Sequence, residues 1–266
     1  MNMRLLAQPR LAFMILSFAV QAYAADNVNC EVIVTVDQTE AGKKIEPPTH
    51  DHPAYYFPIV TGYREEGFRT AGEIVPDRAK IIQQLAKALA KQNYFVVSAK
   101  TPPPSVLLVF HWGYINPVSD PTGGNADDGP SAGPITEHEA RKMTVLVAGH
   151  SASVIDPYFD HDIMDAVHED RYFVIVIAYD MAAAQKHERK QLWIAKMSTP
   201  RTGVSLDDVA GALISSGAPF FGQETSRPKV QLVTIIPHGK VEMGPLETKE
   251  LFDDTSTPPP STGKQP

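Results

Sequence analysis

The chain has 266 residues, 31 acidic against 24 basic, a net charge of −7 and a single cysteine. An acidic balance without a local Lys/Arg cluster is a poor match for nucleic acid or an anionic membrane surface. One cysteine, Cys30, excludes an intrachain disulfide and leaves a buried thiol or an intermolecular bridge.

The first 24 residues have the pattern of a cleavable secretory signal. Arg4 and Arg10 make the start basic, Leu11–Val20 is apolar except for Ser17, and Ala22-Tyr23-Ala24 places small residues where a signal peptidase reads. The run is shorter than the roughly 20 apolar residues that span a bilayer. Removal of this segment takes both arginines with it and lowers the net charge to −9. Asn29 stands before Cys30 where a lipidated cysteine needs a small residue, so lipidation is not expected. No later run is long enough to form a transmembrane segment. The expected products are an exported chain, periplasmic or extracellular, and a single domain over residues 25–252.

Glu31–Asp37 is rich in β-branched residues and predicts a strand. Gln38–Pro58 reads as a loop, and the glycines at 62, 67 and 72 mark Gly62–Glu73 as turn-rich. Asp77 follows Pro76 and starts a helix in which Ile81, Ile82, Leu85, Ala88 and Leu89 share a face. Asn93 fits the left-handed position after it. Tyr94–Val97 predicts a short strand. Val106–Ile115 predicts a long, nearly uniformly apolar one that suits a central place in a sheet.

Asn116–Pro134 is rich in Gly, Pro and Asp and is expected to be a flexible loop. Thr136-Glu137-His138-Glu139 forms a capping-box pattern that opens a helix closed by Gly149. This favours helix over the strand that Val145 and Val147 would also suit. Arg171–Asp180 and Gln191–Met197 predict a hairpin across the charged link Met181–Lys190. Ser205-Leu206-Asp207-Asp208 caps a last helix, with Gly217 as its stop. Lys229–Ile236 predicts a strand, and the tail from Asp253 is disordered by composition. The order predicts an α+β fold, a layered mixed β-sheet with about three helices packed on it.

Two constellations carry candidate chemistry. Gly149-His150-Ser151-Ala152-Ser153 resembles the nucleophile elbow of the α/β-hydrolases. That resemblance implies a secreted serine hydrolase, esterase-like, with Ser151 as nucleophile, Asp180 or Asp207 as the acid, His238 as the base and His111-Trp112-Gly113 near the oxyanion. Ser153 replaces the last glycine of the pattern, and a helix before Gly149 would remove the strand that an elbow needs. The second constellation is acidic and histidine-rich. If residues 160–170 are helical, His161, Asp165 and His168 share a face and could hold zinc or manganese. The plainer expectation is that these groups are the solvated side of an amphipathic helix. His50-Asp51-His52 is a shorter cluster of the same kind.

Gly62–Glu73 is not a phosphate loop, since Glu65, Glu66 and Glu73 would repel an anion. The aromatics Tyr55, Tyr56, Phe57, Tyr63 and Phe68 suit either a sugar or peptide platform or packing against the sheet. Trp112 and Trp193 lie in apolar strands and are expected in the core. No cofactor is expected.

The helix followed by the Tyr94 strand, then PSVLLVFHWG, then RYFVIVIAYD and LWIAKMST before a capped helix, resembles exported bacterial envelope domains of unknown function, including lipoprotein-type families. The likeness spans about residues 76–225. The Asn116–Pro134 insertion and the missing lipidation signal depart from it. It implies a non-catalytic domain with a binding, assembly or structural role, with an envelope protein or the cell wall as partner. It transfers no site residues.

Overall fold

The computed structural model describes residues 27–67, 73–116, 137–149 and 161–237. The N-terminal stretch expected to be a signal, most of the expected Asn116–Pro134 loop, the expected Thr136 cap and the expected tail lie outside the described residues. Strand β1 spans Val28–Gln38, where five of the seven residues from Val32 to Gln38 are Val, Ile or Thr. Strand β2 spans Ala54–Glu66 and corrects the last part of the expected loop, from Ala54 to Pro58, and the first part of the expected turn-rich segment, from Gly62 to Glu66, while residues 39–53 do connect β1 and β2 without a strand. Tyr, Phe, Ile, Val and Thr, seven of its 13 residues, are good strand formers. Its two breakers are both accommodated. Short β3, Tyr94–Val96, pairs only Ala54–Tyr56, so at Pro58 the strand is already an edge, where a proline can lie with its missing N–H side away from the partner. Gly62 sits in a bulge at φ +87°, marked by a register shift after Val60.

Helix α1 spans Arg78–Lys91 and starts as its sequence predicts. Ala79 N–H donates to the Asp77 carboxylate at 2.9 Å, and Asn93 takes φ +61° beyond the end. Strand β4, Val106–Ile115, lies between β2 and a second long strand, β5, Arg171–Asp180. The order across the seven-stranded sheet is β3-β2-β4-β5-β6-β1-β7, with β6 at Gln191–Pro200 and β7 at Lys229–Ile235. The β3-β2-β4 part is parallel and the remainder antiparallel. A parallel β2–β4 pair needs a crossover, and α1 lies within it.

Strand alternation sends Leu108, Phe110, Trp112 and Tyr114 of β4 to one face with Val32, Val34 and Val36 of β1. Helices α1 and α5 (Leu206–Gly217) cover this face with Ile81, Leu85, Leu89, Val209 and Leu213. Trp112, Trp193 and the thiol of Cys30 are buried there, and burial raises the thiol pKa. Helix α5 begins with the expected capping box. Gly217, however, does not stop it through a left-handed turn. It has φ −79° and continues into a 3-10 turn, and a Cβ there would strike the buried Met197 side chain. The opposite face carries α2, Glu137–Ala148, and α3, His161–Ala166. A single turn, α4, Met181–Gln185, interrupts the β5–β6 link. Three helices of real length on a mixed sheet make the fold α+β. No helix among the described residues is long and apolar enough to cross a membrane.

Candidate functional site

Residues 143–148, the segment divided between helix and strand in the sequence, are helical and belong to α2. Met143, Leu146, Val147 and Ala148 are buried toward the sheet, in contact groups with Ile33, Ile115 and Phe173. The last turn is fastened by polar residues placed on the inner face of β1 and β6. Lys196 Nζ donates to Asp37 Oδ2 at 2.8 Å and to the Val145 carbonyl at 2.9 Å. Thr35 Oγ1 reaches the Leu146 carbonyl at 3.4 Å. These donors take carbonyls that the end of a helix leaves without intrahelical partners, and the ammonium suits the negative end of the helix dipole. Gly149 turns away at φ +58°, and a Cβ would press on the Asp37 carboxylate.

Beside this anchor, α2 and the sheet enclose a groove of about 350 Å³. His138, Arg141, Lys142 and Val145, at helical spacing, form one wall. Ile115, Phe173, Ile175 and Ile194 form the floor, and the lining is predominantly apolar. Glu66 lies at the rim with its carboxylate 4.0 Å from Lys142 Nζ. The floor continues past the helix. Ile194, Ile177, Val109 and Ile59 are register partners in sequence across β6, β5, β4 and β2. The neighbouring row carries Leu107 and Phe57. Ile59 is 40% exposed and Phe57 46%, so the apolar strip reaches solvent among the described residues.

His111 lies on this same face, edge-on to Phe173 with ring centroids 6.0 Å apart. Burial, aided by the Arg64 charge, lowers its pKa to about 4 and keeps the ring neutral at pH 7. His111-Trp112-Gly113 lies within β4, and no oxyanion loop begins there.

The remaining sequence candidates are scattered. Ser151 and His238 lie outside the described residues, and the segment leading to Gly149 is a helix, where an elbow requires a strand. Asp180 caps α4 by accepting from Ala183 N–H at 3.0 Å and pairs with Lys190 at 2.9 Å, and these contacts lower its pKa. Asp207 pairs with Lys80 at 2.7 Å and ties α5 to α1. Helix α3 ends at Ala166, so His161 and Asp165 are on it while His168 is beyond its end, all three exposed. Among the described residues no group of three His, Cys, Asp or Glu side chains could hold a metal. The His50 and Asp51 pair is exposed.

The β2 aromatics divide between faces. Tyr56 is buried, and Tyr63 packs on the Tyr114 side, whereas Phe57 points to the opposite face; Phe68 lies outside the described residues. They form no single platform. Two further cationic groups are structural. Arg171, fully buried, pairs with Glu169 at 2.9 Å and with Ser198, and Arg201 stacks 4.2 Å over the Tyr114 ring while pairing with Glu73.

The groove escaped the sequence reading because its walls come from five separate elements. The available signal was weak: Thr35 and Asp37 alternate with apolar residues in β1, and Lys196 interrupts the apolar run Leu192–Met197 of β6.

No family model matches the chain, and no curated protein does. Among solved structures, a PelC dodecamer from Paraburkholderia phytofirmans is similar at 13% identity and TM-score 0.34, over 72% of this chain and 99% of that one. A PDZ domain protein from Parabacteroides distasonis is similar at 12% identity and TM-score 0.37, over 78% of this chain and 39% of that one.

Proposed function

We propose that the chain is an exported, non-catalytic binding domain of the cell envelope whose site is the groove beneath α2. The observation that carries this reading is the groove itself: a concave, largely apolar space of about 350 Å³ held open by a helix that is anchored at one end. Ligand sites have this character, with an apolar lining and a few placed polar groups. The basic start, apolar run and Ala22-Tyr23-Ala24 support export. Asp180 and Asp207, the acids that the hydrolase resemblance implies, have structural partners in Lys190 and Lys80, and this favours binding over hydrolysis.

The test pairs a neutral, environment-sensitive apolar fluorophore with Val145→Trp. Val145 is 51% exposed on the groove wall, so the indole fills the mouth without entering the core. Saturable binding to the natural chain, lost in the variant, is expected. Equal binding by both would remove the site from the groove. Fluorophosphonate labelling that disappears in Ser151→Ala would replace the reading with a serine hydrolase.

A further inference from the structure

We propose that the open edge of β7 pairs with the same edge of a second copy of this chain, antiparallel and about a two-fold axis at Leu232, so that two sheets join into one. The proposal does not depend on the groove. Among the described residues β7 ends the sheet on one side. The direction of its backbone groups follows from β1. Val36 donates its N–H to Thr225 Oγ1 and accepts from Thr225 N–H, both at 2.9 Å, on the β7 side of β1. Successive residues of a strand turn these groups to opposite sides, so Val34, Val32, Cys30 and Val28 also face β7. Their register partners are Lys229, Gln231, Val233 and Ile235. Val230, Leu232 and Thr234 therefore turn their N–H and C=O groups outward, where no strand among the described residues receives them.

Sheet edges are guarded against pairing by proline, bulges or charge. The opposite edge, where β2 runs on past β3, has all three: Pro58, the register break between Val60 and Gly62, and the exposed charges of Arg64 and Glu65. Strand β7 has no proline, an unbroken register with β1 and one charge, Lys229 at its first position. Leu232, at its centre, is 73% exposed, and Val230 on the same face is 44% exposed.

This contrast selects a second copy as the occupant. The guards on β2 keep β7 of one copy from pairing with β2 of the next, which would build an open chain. Pairing of β7 with β7 closes after two copies. With Leu232 on the axis it faces its own copy, Val230 faces Thr234 and Lys229 faces Ile235, so no charge meets a like charge. The outward groups of Val230, Leu232 and Thr234 then form about six hydrogen bonds between the copies. Residues 225–237 contain no acid, so the surplus negative charge of the chain is kept away from the contact. One strand pair belongs to the small class of interfaces, below about 1,200 Å², so the dimer is a reversible one with a Kd of about 1–100 μM.

The experiment is sedimentation velocity of the purified chain starting at Ala25, the expected exported form, from about 1 to 300 μM. A shift from monomer to dimer with concentration is expected. Leu232→Lys sets two ammonium groups face to face at the axis and should weaken association by roughly tenfold or more, with its melting curve as the folding control. Should that variant unfold, cysteine substitution carries the test. Oxidation by copper–phenanthroline should join Leu232→Cys into a covalent dimer and leave Lys229→Cys monomeric, because the two copies of position 229 stand about 20 Å apart along the paired strands. Cys30 is buried and common to both proteins. A monomer over the whole range, or a dimer that Leu232→Lys leaves unchanged, overturns the proposal. Growth beyond two copies, or equal cross-linking of the two cysteine variants, overturns it as well.

Discussion

Lys196 and Asp37, 159 residues apart in sequence, meet at 2.8 Å on the inner face of the sheet, and both are almost fully buried. The pair does more than neutralise itself. The same ammonium holds the Val145 carbonyl, so the contact that satisfies a buried carboxylate also fixes the end of α2 and thereby one wall of the groove.

Removing one partner should cost more than removing both. Lys196→Met removes the ammonium that faces the buried Asp37 carboxylate, with an expected loss of about 3–5 kcal/mol. The double variant Asp37→Leu/Lys196→Met should lose less than Lys196→Met alone, because no buried charge remains. Urea unfolding of the natural chain, both single variants and the double variant checks this. Losses that simply add would show that the two side chains act independently.

His111 predicts a pH dependence with a definite sign. Its folded pKa is about 4 against an ordinary 6.5, so the unfolded chain binds more protons between those values. The contribution is fully present above pH 6.5 and is lost as pH falls through about 4. Its full size is roughly 2–3 kcal/mol once partial solvent screening is allowed for. Urea midpoints measured from pH 7 to pH 4 should fall less steeply in His111→Phe, and parallel curves for the two proteins would refute the assignment.

The start of α5 should be sensitive to a single hydroxyl. Ser205 Oγ accepts from Asp208 N–H at 3.3 Å, while Asp208 Oδ2 accepts from Ser205 N–H at 3.1 Å. Ser205→Ala is expected to destabilise the protein by about 1 kcal/mol, with Ser205→Gly costing only a few tenths. Thermal unfolding of the two variants side by side tests the cap, and equal losses would count against it.

The sequence made some elements legible because their signals are local. Asp77 and Ser205 find the N–H donors that they cap within three residues, Asn93 sits next to the helix that it ends, and the β4 run announces a strand without reference to any partner. Strand β2 is hidden in the sequence because Pro58 and Gly62 are local breakers. Their cost is met non-locally, by the edge position of β2 and by its pairing with β4. Gly217 misled in the opposite sense. Its side-chain hydrogen makes room for Met197, a neighbour in space and not in sequence.

Composition and local punctuation determined by themselves that this chain should be an α+β domain with a mixed sheet. Tertiary structure alone decided that Asp180 and Asp207 have separate structural partners, and that a basic helix wall faces an apolar sheet floor. The physical reason is that a groove consists of surfaces from several elements. Residues from β2, β4, α2, β5 and β6 create it only after the sheet has set their register, and no window of sequence contains more than one of its walls.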